Sequence, residues 1–346
     1  MSTFDVSVKE TIQRQRILER RRWRIIAGLA LAALGTLLLD IATGPSMVPL
    51  ADVIRALFGM EVADMTRVIV LELRLPMALM ALVVGAALGV GGAEIQTLLN
   101  NPMASPYTLG LAAAAGFGAS LVIAMGSFGL PLLLAVPLGA FVMTMVASGI
   151  LFFFASISHM TSAMLVLTGI ALLFLFQSML SLVQYLSAPE VSQQILFWLF
   201  GNLTKTTWTT LAVTALVSSV CITLLMRLSW QLTALRMGEQ RASALGVDTR
   251  KLRMAVLFLV ALMTSVAISF VGVIGFIGLV APHIARMLVG EDQRFFVPLS
   301  MVTGAAFLSA SSVLSKSIVP GALFPVGIVT AFIGVPFFFW IIVSRR

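Results

Sequence analysis

R-R-R-W-R-I-I-A-G-L-A-L-A-A-L-G-T-L-L-L-D-I-A, Arg20 to Ala42, is the stretch whose reading decides the fold. Four arginines flank an apolar run of about 18 residues, close to the roughly 20 that a helix needs to cross the hydrocarbon core of a bilayer. A cleavable signal peptide has a shorter apolar core and a small-residue cleavage site, both missing here. The run therefore reads as a retained first spanning helix with its basic flank in the cytoplasm.

Outward from this segment the pattern repeats. Apolar runs bounded by polar or Pro/Gly breaks lie near residues 24–43, 75–98, 107–127, 130–155, 162–186, 208–228, 252–272, 274–290, 296–314 and 325–343. The seventh and eighth are divided only by V-G-V-I-G-F-I-G, Val271 to Gly278, whose glycines favour a break. Overall, 60% of the 346 residues are hydrophobic and 10% charged, against about a quarter charged in a soluble domain. Only lipid can cover that much apolar surface. The expectation is an all-α polytopic membrane protein with ten transmembrane helices.

The net charge of +8 does not point to nucleic acid, because the cations collect between apolar segments. With ten helices and a cytoplasmic N-terminal segment, 17 of the 22 lysines and arginines fall inside. The five outside are Arg55, Arg67, Arg74, Lys205 and Lys316. That asymmetry follows the positive-inside rule and places both ends in the cytoplasm, whereas an odd count would send the basic C-terminal end outside. Residues 1–346 read as one transmembrane domain, with a cytoplasmic tail at 1–24 and one long cytoplasmic loop at 229–251.

Within that loop, E-Q-R-A-S-A-L-G reads as a short helix with Glu239 at its positive end and Gly246 closing it. Asp248 then caps the next span. Outside, 44–67 and 189–204 have room for short surface helices, and Trp198 suits a headgroup-level anchor. Asp40 and Glu72 fall near helix ends, where water reaches them. The small-residue runs Gly85–Ala93 and Leu109–Ala119 read as faces for close helix packing.

The chemistry of an enzyme is missing. There are two histidines, His159 and His283, no H-E-x-x-H and no C-x-x-C, and no lysine follows a glycine, which excludes a P-loop. Cys221 lies in an apolar run and reads as a small lipid-facing or packed residue. No metal or cofactor is expected in this chain. Glu94, in G-G-A-E-I-Q, is the one acid well inside a span, and it keeps open a proton-coupled secondary carrier. A non-transporting membrane scaffold is the other alternative.

Six segments carry a family resemblance: L-R-L-P (Leu73 to Pro76), G-A-E-I-Q-T-L-L-N-N-P-M-A-S-P-Y-T-L-G (Gly92 to Gly110), L-F-W-L-F-G-N-L (Leu196 to Leu203), G-E-Q-R-A-S-A-L-G-V (Gly238 to Val247), G-F-I-G-L-V-A-P-H-I-A-R-M-L-V-G (Gly275 to Gly290) and P-V-G-I-V-T-A-F-I-G-V-P-F-F-F-W (Pro325 to Trp340). Together, in this order, they resemble the permease subunits of bacterial iron-siderophore, haem and cobalamin ABC importers, the FecCD-type permeases.

The resemblance implies a type II ABC importer permease in the bacterial inner membrane, paired with a second permease, the same or related. Two cytoplasmic ATP-binding-cassette ATPases, which bind ATP and Mg, would dock on Arg236, Gly238, Glu239, Ala242, Leu245, Gly246 and Val247. A periplasmic binding protein would dock through Arg74 and Lys316. The translocation pathway would run along the fifth and tenth helices, over Leu165 to Tyr185, with Leu165, Gly169, Leu172, Phe176 and Leu180 as lining. The cargo implied is an iron-siderophore chelate, with haem or cobalamin as alternatives.

The chain departs from the family pattern in places. Met77 replaces a second docking arginine, and Ser312 and Leu323 stand where the family has acids. N-P-M-A-S-P, with Ser105, replaces N-P-L-A-D-P and looks closer to siderophore permeases.

Overall fold

α1 (Thr3–Ala42) runs for 40 residues, or about 60 Å. The helix carries through the basic flank at 3–24 without a break. The computed structural model describes residues 3–45, 48–127, 129–157, 161–319 and 324–344. The expectations resting on His159, Leu323, Arg345 and Arg346 fall outside the described residues.

Fifteen α-helices form among the described residues. After α1 come α2 (Leu50–Leu57) and α3 (Asp64–Val68), the short helices expected between the first two spans. A π-helical turn, Ile69–Arg74, feeds directly into α4 (Leu75–Leu98). Then follow α5 (Leu111–Met125), α6 (Leu132–Ser156), α7 (Ser162–Leu186), α8 (Pro189–Leu199) and α9 (Trp208–Arg227). The chain continues through α10 (Ser229–Leu235), α11 (Glu239–Ala244), α12 (Thr249–Val271), α13 (Ile277–Val289), α14 (Gln293–Ser317) and α15 (Val326–Ser344). Seven helices are long and apolar enough to cross a membrane, and the shorter apolar helices α5, α13 and α15 bring the set to the ten of the sequence.

α5 and α13 are short for physical reasons. Pro102 and Pro106 hold 99–110 out of a helix. Within that stretch Thr108 Oγ1 accepts from the Ser105 amide at 2.9 Å, and Ser105 Oγ accepts from the Thr108 amide at 3.2 Å. Gly110 then turns at φ +81° into α5. The stretch lies against the middle of α7, where a Cβ on Gly169 would come within 2.8 Å of the Leu109 Cα. The glycine-rich break at 272–276 meets it across a cavity of about 20 Å³ lined by Ser105, Pro106, Thr264 and Phe276, room for one water molecule.

α4 is the central helix and packs on α14, α13, α12 and α9. Its glycines explain the closeness. A Cβ on Gly85 would fall 2.3 Å from the Gly304 carbonyl oxygen, one on Gly89 2.4 Å from that of Ser300, and one on Gly92 1.9 Å from that of Gly278. The second small-residue run works likewise, with Gly118 against the Gly139 carbonyl. Of the two readings of Cys221, lipid-facing or packed, the structure has the packed one: it is buried in the same core.

Two expectations change. Trp198 is not a headgroup anchor: it packs against the cluster of Ala112, Ala115, Ala119 and Ile268. α8 packs on α5, where Gly116 sits against Leu199. Asp40 is fully buried, because Lys316 and Ser312 of α14 close over it, while Glu72 is exposed as expected.

Candidate functional site

The loop at 229–251 folds as its sequence dictates. α11 is E-Q-R-A-S-A, with Glu239 in its first turn. Gly246, at φ +83°, ends it. The Gly246 amide donates to the Ser243 carbonyl and the Val247 amide to that of Ala242, which is a Schellman closure of the helix. Asp248 then caps α12 by accepting from the Lys251 amide at 3.0 Å. That backbone hydrogen bond holds its carboxyl below the ordinary carboxylate range.

The loop residues divide by environment. Ala242 and Val247 are buried in the core cluster with Leu232 and Leu252 and anchor the loop. Gly238, Glu239, Leu245 and Gly246 are exposed, and Leu245 and Met237 present apolar side chains to the outside. Glu239 pairs with the Arg253 guanidinium and ties α11 to α12. Arg236 is largely sheltered and pairs with Glu291, in the turn between α13 and α14. Arg286 of α13 shares that carboxylate at 3.1 Å. It also donates to Gln96 Oε1 of α4 at 2.9 Å, and Gln96 Nε2 donates to the Gly278 carbonyl at 3.4 Å. Sequence reasoning missed Glu291, Arg286 and Gln96; the only signal was that polar groups at span ends must find partners.

Beside them, Asp292 caps α14 and takes two hydrogen bonds from the Arg294 guanidinium, at 3.1 and 2.7 Å. Those bonds hold its carboxyl below the ordinary range. Arg22 of α1 lies 3.8 Å from the same carboxylate and over the Phe295 ring.

At the other end of α1, Arg74 and Lys316 are not presented to a partner. Each is 5% exposed. The last carbonyls of a helix lack intrahelical donors, and its C-terminus favours cations. Arg74 Nη1 donates to the Ile41 carbonyl at 3.0 Å and the Ala42 carbonyl at 2.8 Å. Lys316 Nζ donates to the Asp40 carbonyl at 2.9 Å and pairs with its carboxylate at 2.7 Å, and Ser312 Oγ donates to the same Oδ1 at 2.8 Å. The acid absent at Ser312 is thus supplied by Asp40 from α1. Both cations cap a helix in this structure, whereas Arg55, Arg67 and Lys205 are exposed.

α7 reverses a second expectation. Leu165, Gly169, Leu172, Phe176 and Leu180 form its buried stripe; Gly169 lies against Leu109 of the 99–110 coil, and Phe176 and Phe117 of α5 have ring centroids 6.0 Å apart. Its open face instead carries Leu167, Phe174, Leu182 and Tyr185. Phe176→Ala is therefore expected to cost about 3–5 kcal/mol, and Phe174→Ala to leave stability nearly unchanged, in thermal unfolding of the purified protein.

Glu94 is fully buried, and neither carboxylate oxygen has a hydrogen-bond partner among the described residues. Among the described residues there is no cluster of His, Cys, Asp or Glu that could hold a metal.

An exposed ridge on a body of ten apolar helices suits a chain driven from outside itself, and the comparisons agree. The haemin transport system permease protein HmuU of Yersinia pestis is 36% identical over 328 residues, covering 93% of this chain and 98% of that protein. The vitamin B12 import system permease protein BtuC of Vibrio vulnificus is 33% identical over 285 residues, covering 80% and 83%. A solved metal-chelate type ABC transporter in an inward-facing conformation superposes with a TM-score of 0.82 at 30% identity, over 93% of this chain and 99% of that one. Residues 29–344 match the family model of the FecCD transport family. These relatives are permeases, not enzymes, and they overturn the secondary-carrier reading of Glu94. The chain belongs to the FecCD transport family and is a multi-span permease subunit of an ABC importer.

Proposed function

We propose that this permease carries an iron-siderophore chelate inward across the bacterial cytoplasmic membrane by alternating access. The observation that carries the reading is the inner-face ridge Met237–Gly246, exposed along its outer edge and anchored by buried Ala242 and Val247. Two ATP-binding-cassette ATPases dock on this ridge of paired permeases and bind the ATP and Mg, so this chain needs no cofactor of its own. Both chain ends lie on the ATPase side. An outer binding protein supplies affinity for the chelate, and it meets Arg55, Arg67 and Lys205 rather than the buried pair. The second permease and the pathway lie on the open face of α7, along Leu167, Phe174, Leu182 and Tyr185. Ser105 in N-P-M-A-S-P supports a siderophore cargo. The haemin permease at 36% identity favours haem as the second reading.

The test is uptake by proteoliposomes holding the permease, its ATPases and its binding protein, offered ferric hydroxamate, haem or cobalamin in turn. ATP-dependent accumulation of ferric hydroxamate is expected. Preferential accumulation of haem would replace the siderophore reading. Uptake driven by a proton gradient without ATPases would overturn the mechanism. Leu245→Glu, at an exposed position, is expected to lower ATPase co-purification at least about tenfold with an unchanged melting temperature.

A further inference from the structure

We propose that Glu291 is a positioning residue that transmits movement of the inner-face loop to the start of α13. The inference rests on the proposed docking of ATPases at Arg236–Val247. The side chains form one continuous line: Arg236 of the loop to Glu291, Glu291 to Arg286, Arg286 to Gln96, and Gln96 to the Gly278 carbonyl. It starts beside the exposed ridge and ends in the first turn of α13, directly after the break at 272–276.

Three features make this a linkage and not incidental packing. First, it joins three parts far apart in sequence: the loop, the α13–α14 turn and α4. Second, its inner members are sheltered from the screening that weakens surface pairs: Gln96 is 1% exposed, and the side chains of Arg236 and Arg286 are 17% and 15% exposed. Third, Glu291 is shared. Its carboxylate is 46% exposed and holds two guanidiniums from elements that need not move together. It occupies a turn of only three residues between α13 and α14, so little slack separates it from either helix.

Displacing α10 therefore either drags the α13–α14 turn or exchanges Glu291 from a two-arginine to a one-arginine state. Discrete arrangements of this kind are what transmit coupling between sites. Of the loop's other ion pairs among the described residues, Glu239 with Arg253 reaches α12, which follows it directly in the chain, and Asp248 with Lys251 stays at the start of that helix. Among the described residues, the Arg236–Glu291 pair is the one that crosses to the α13–α14 turn.

The experiment uses the complete importer complex in nanodiscs, with spin labels at Met287→Cys on α13 and Phe154→Cys on α6, both exposed positions. Native Cys221 is buried and stays in place. The distance between labels is measured with and without ATP and vanadate, alongside ATP hydrolysis. Glu291→Gln and, separately, Gln96→Leu are expected to shrink the nucleotide-driven distance change at least about fivefold while hydrolysis stays within about twofold. Gln96 lies away from the ridge, so its variant separates transmission from docking. A full distance change in either variant overturns the proposal. Parallel loss of hydrolysis and ATPase binding in Glu291→Gln also overturns it, since Glu291 would then only shape the docking surface. If the unmutated complex shows no nucleotide-driven change, it is the docking reading itself that fails.

Discussion

Gly92→Ala is expected to destabilise the permease by at least about 3 kcal/mol, with most of the protein lost from the monodisperse peak on size-exclusion chromatography. The new methyl would fall 1.9 Å from the Gly278 oxygen, 2.5 Å from its carbonyl carbon and 2.6 Å from its Cα. All three are backbone atoms, so no rotamer change relieves the clash, and α4 must separate from α13. Packing between membrane helices relies on van der Waals contact, without an aqueous hydrophobic drive to restore it. Separation would also break the hydrogen bond from Gln96 to the Gly278 carbonyl. Two neighbours serve as controls. Gly91→Ala meets only side chains of Val260, Pro106 and Thr264, at 3.3 Å and beyond, and Gly278→Ala meets the Leu88 oxygen at 3.1 Å. Gly91→Ala should be tolerated and Gly278→Ala should be intermediate. Equal melting temperatures for the three variants would refute this account of the seam.

Lys316→Met is the second large effect, at about 3–5 kcal/mol of lost stability. The methionine fills the lysine's volume but leaves the Asp40 carboxylate buried without its counter-charge. Only Ser312 Oγ then donates to Oδ1, and Oδ2 already has no partner among the described residues. The Asp40 carbonyl also loses its donor at the end of α1. Asp40→Asn with Lys316→Met should recover most of the loss, because a buried ion pair is costly to break but can be removed whole at little net cost. Melting temperatures of the two single variants and the double variant form the cycle that checks this. Additive losses would mean that the pair does not act as a unit. Arg74→Ala should destabilise separately, since it strips the Ile41 and Ala42 carbonyls of their donors.

The spans, their order and the long loop at 229–251 were legible in the sequence because lipid imposes a length and a polarity pattern that each segment must meet alone. The E-Q-R-A-S-A helix, its Gly246 end and the Asp248 cap were legible because capping is local chemistry. The orientation of a helix about its own axis was not. Leu165, Gly169, Leu172, Phe176 and Leu180 form a true stripe, but in a membrane the stripe facing protein and the stripe facing lipid are equally apolar, so the pattern gives no sign. Arg74 and Lys316 misled for a related reason. A cation at a span end suggests an exposed charge, and nothing in the sequence says that the carbonyls of α1, more than thirty residues before Arg74 and almost three hundred before Lys316, will claim both. Glu291 was invisible because one of its two partners, Arg236, lies 55 residues earlier, beyond the whole of α12 and α13.

The stunted length of α5 and α13 has a consequence for biogenesis. At 15 and 13 residues, neither helix meets the bilayer's thickness alone, and the coil at 99–110 and the break at 272–276 leave peptide groups that acyl chains cannot solvate. Neither segment can leave the translocon and rest singly in lipid. Each has to be held back until α7, for α5, and α14, for α13, complete a proteinaceous wall. The order in which segments emerge from the ribosome therefore does not match the order in which they become independent of the insertion machinery.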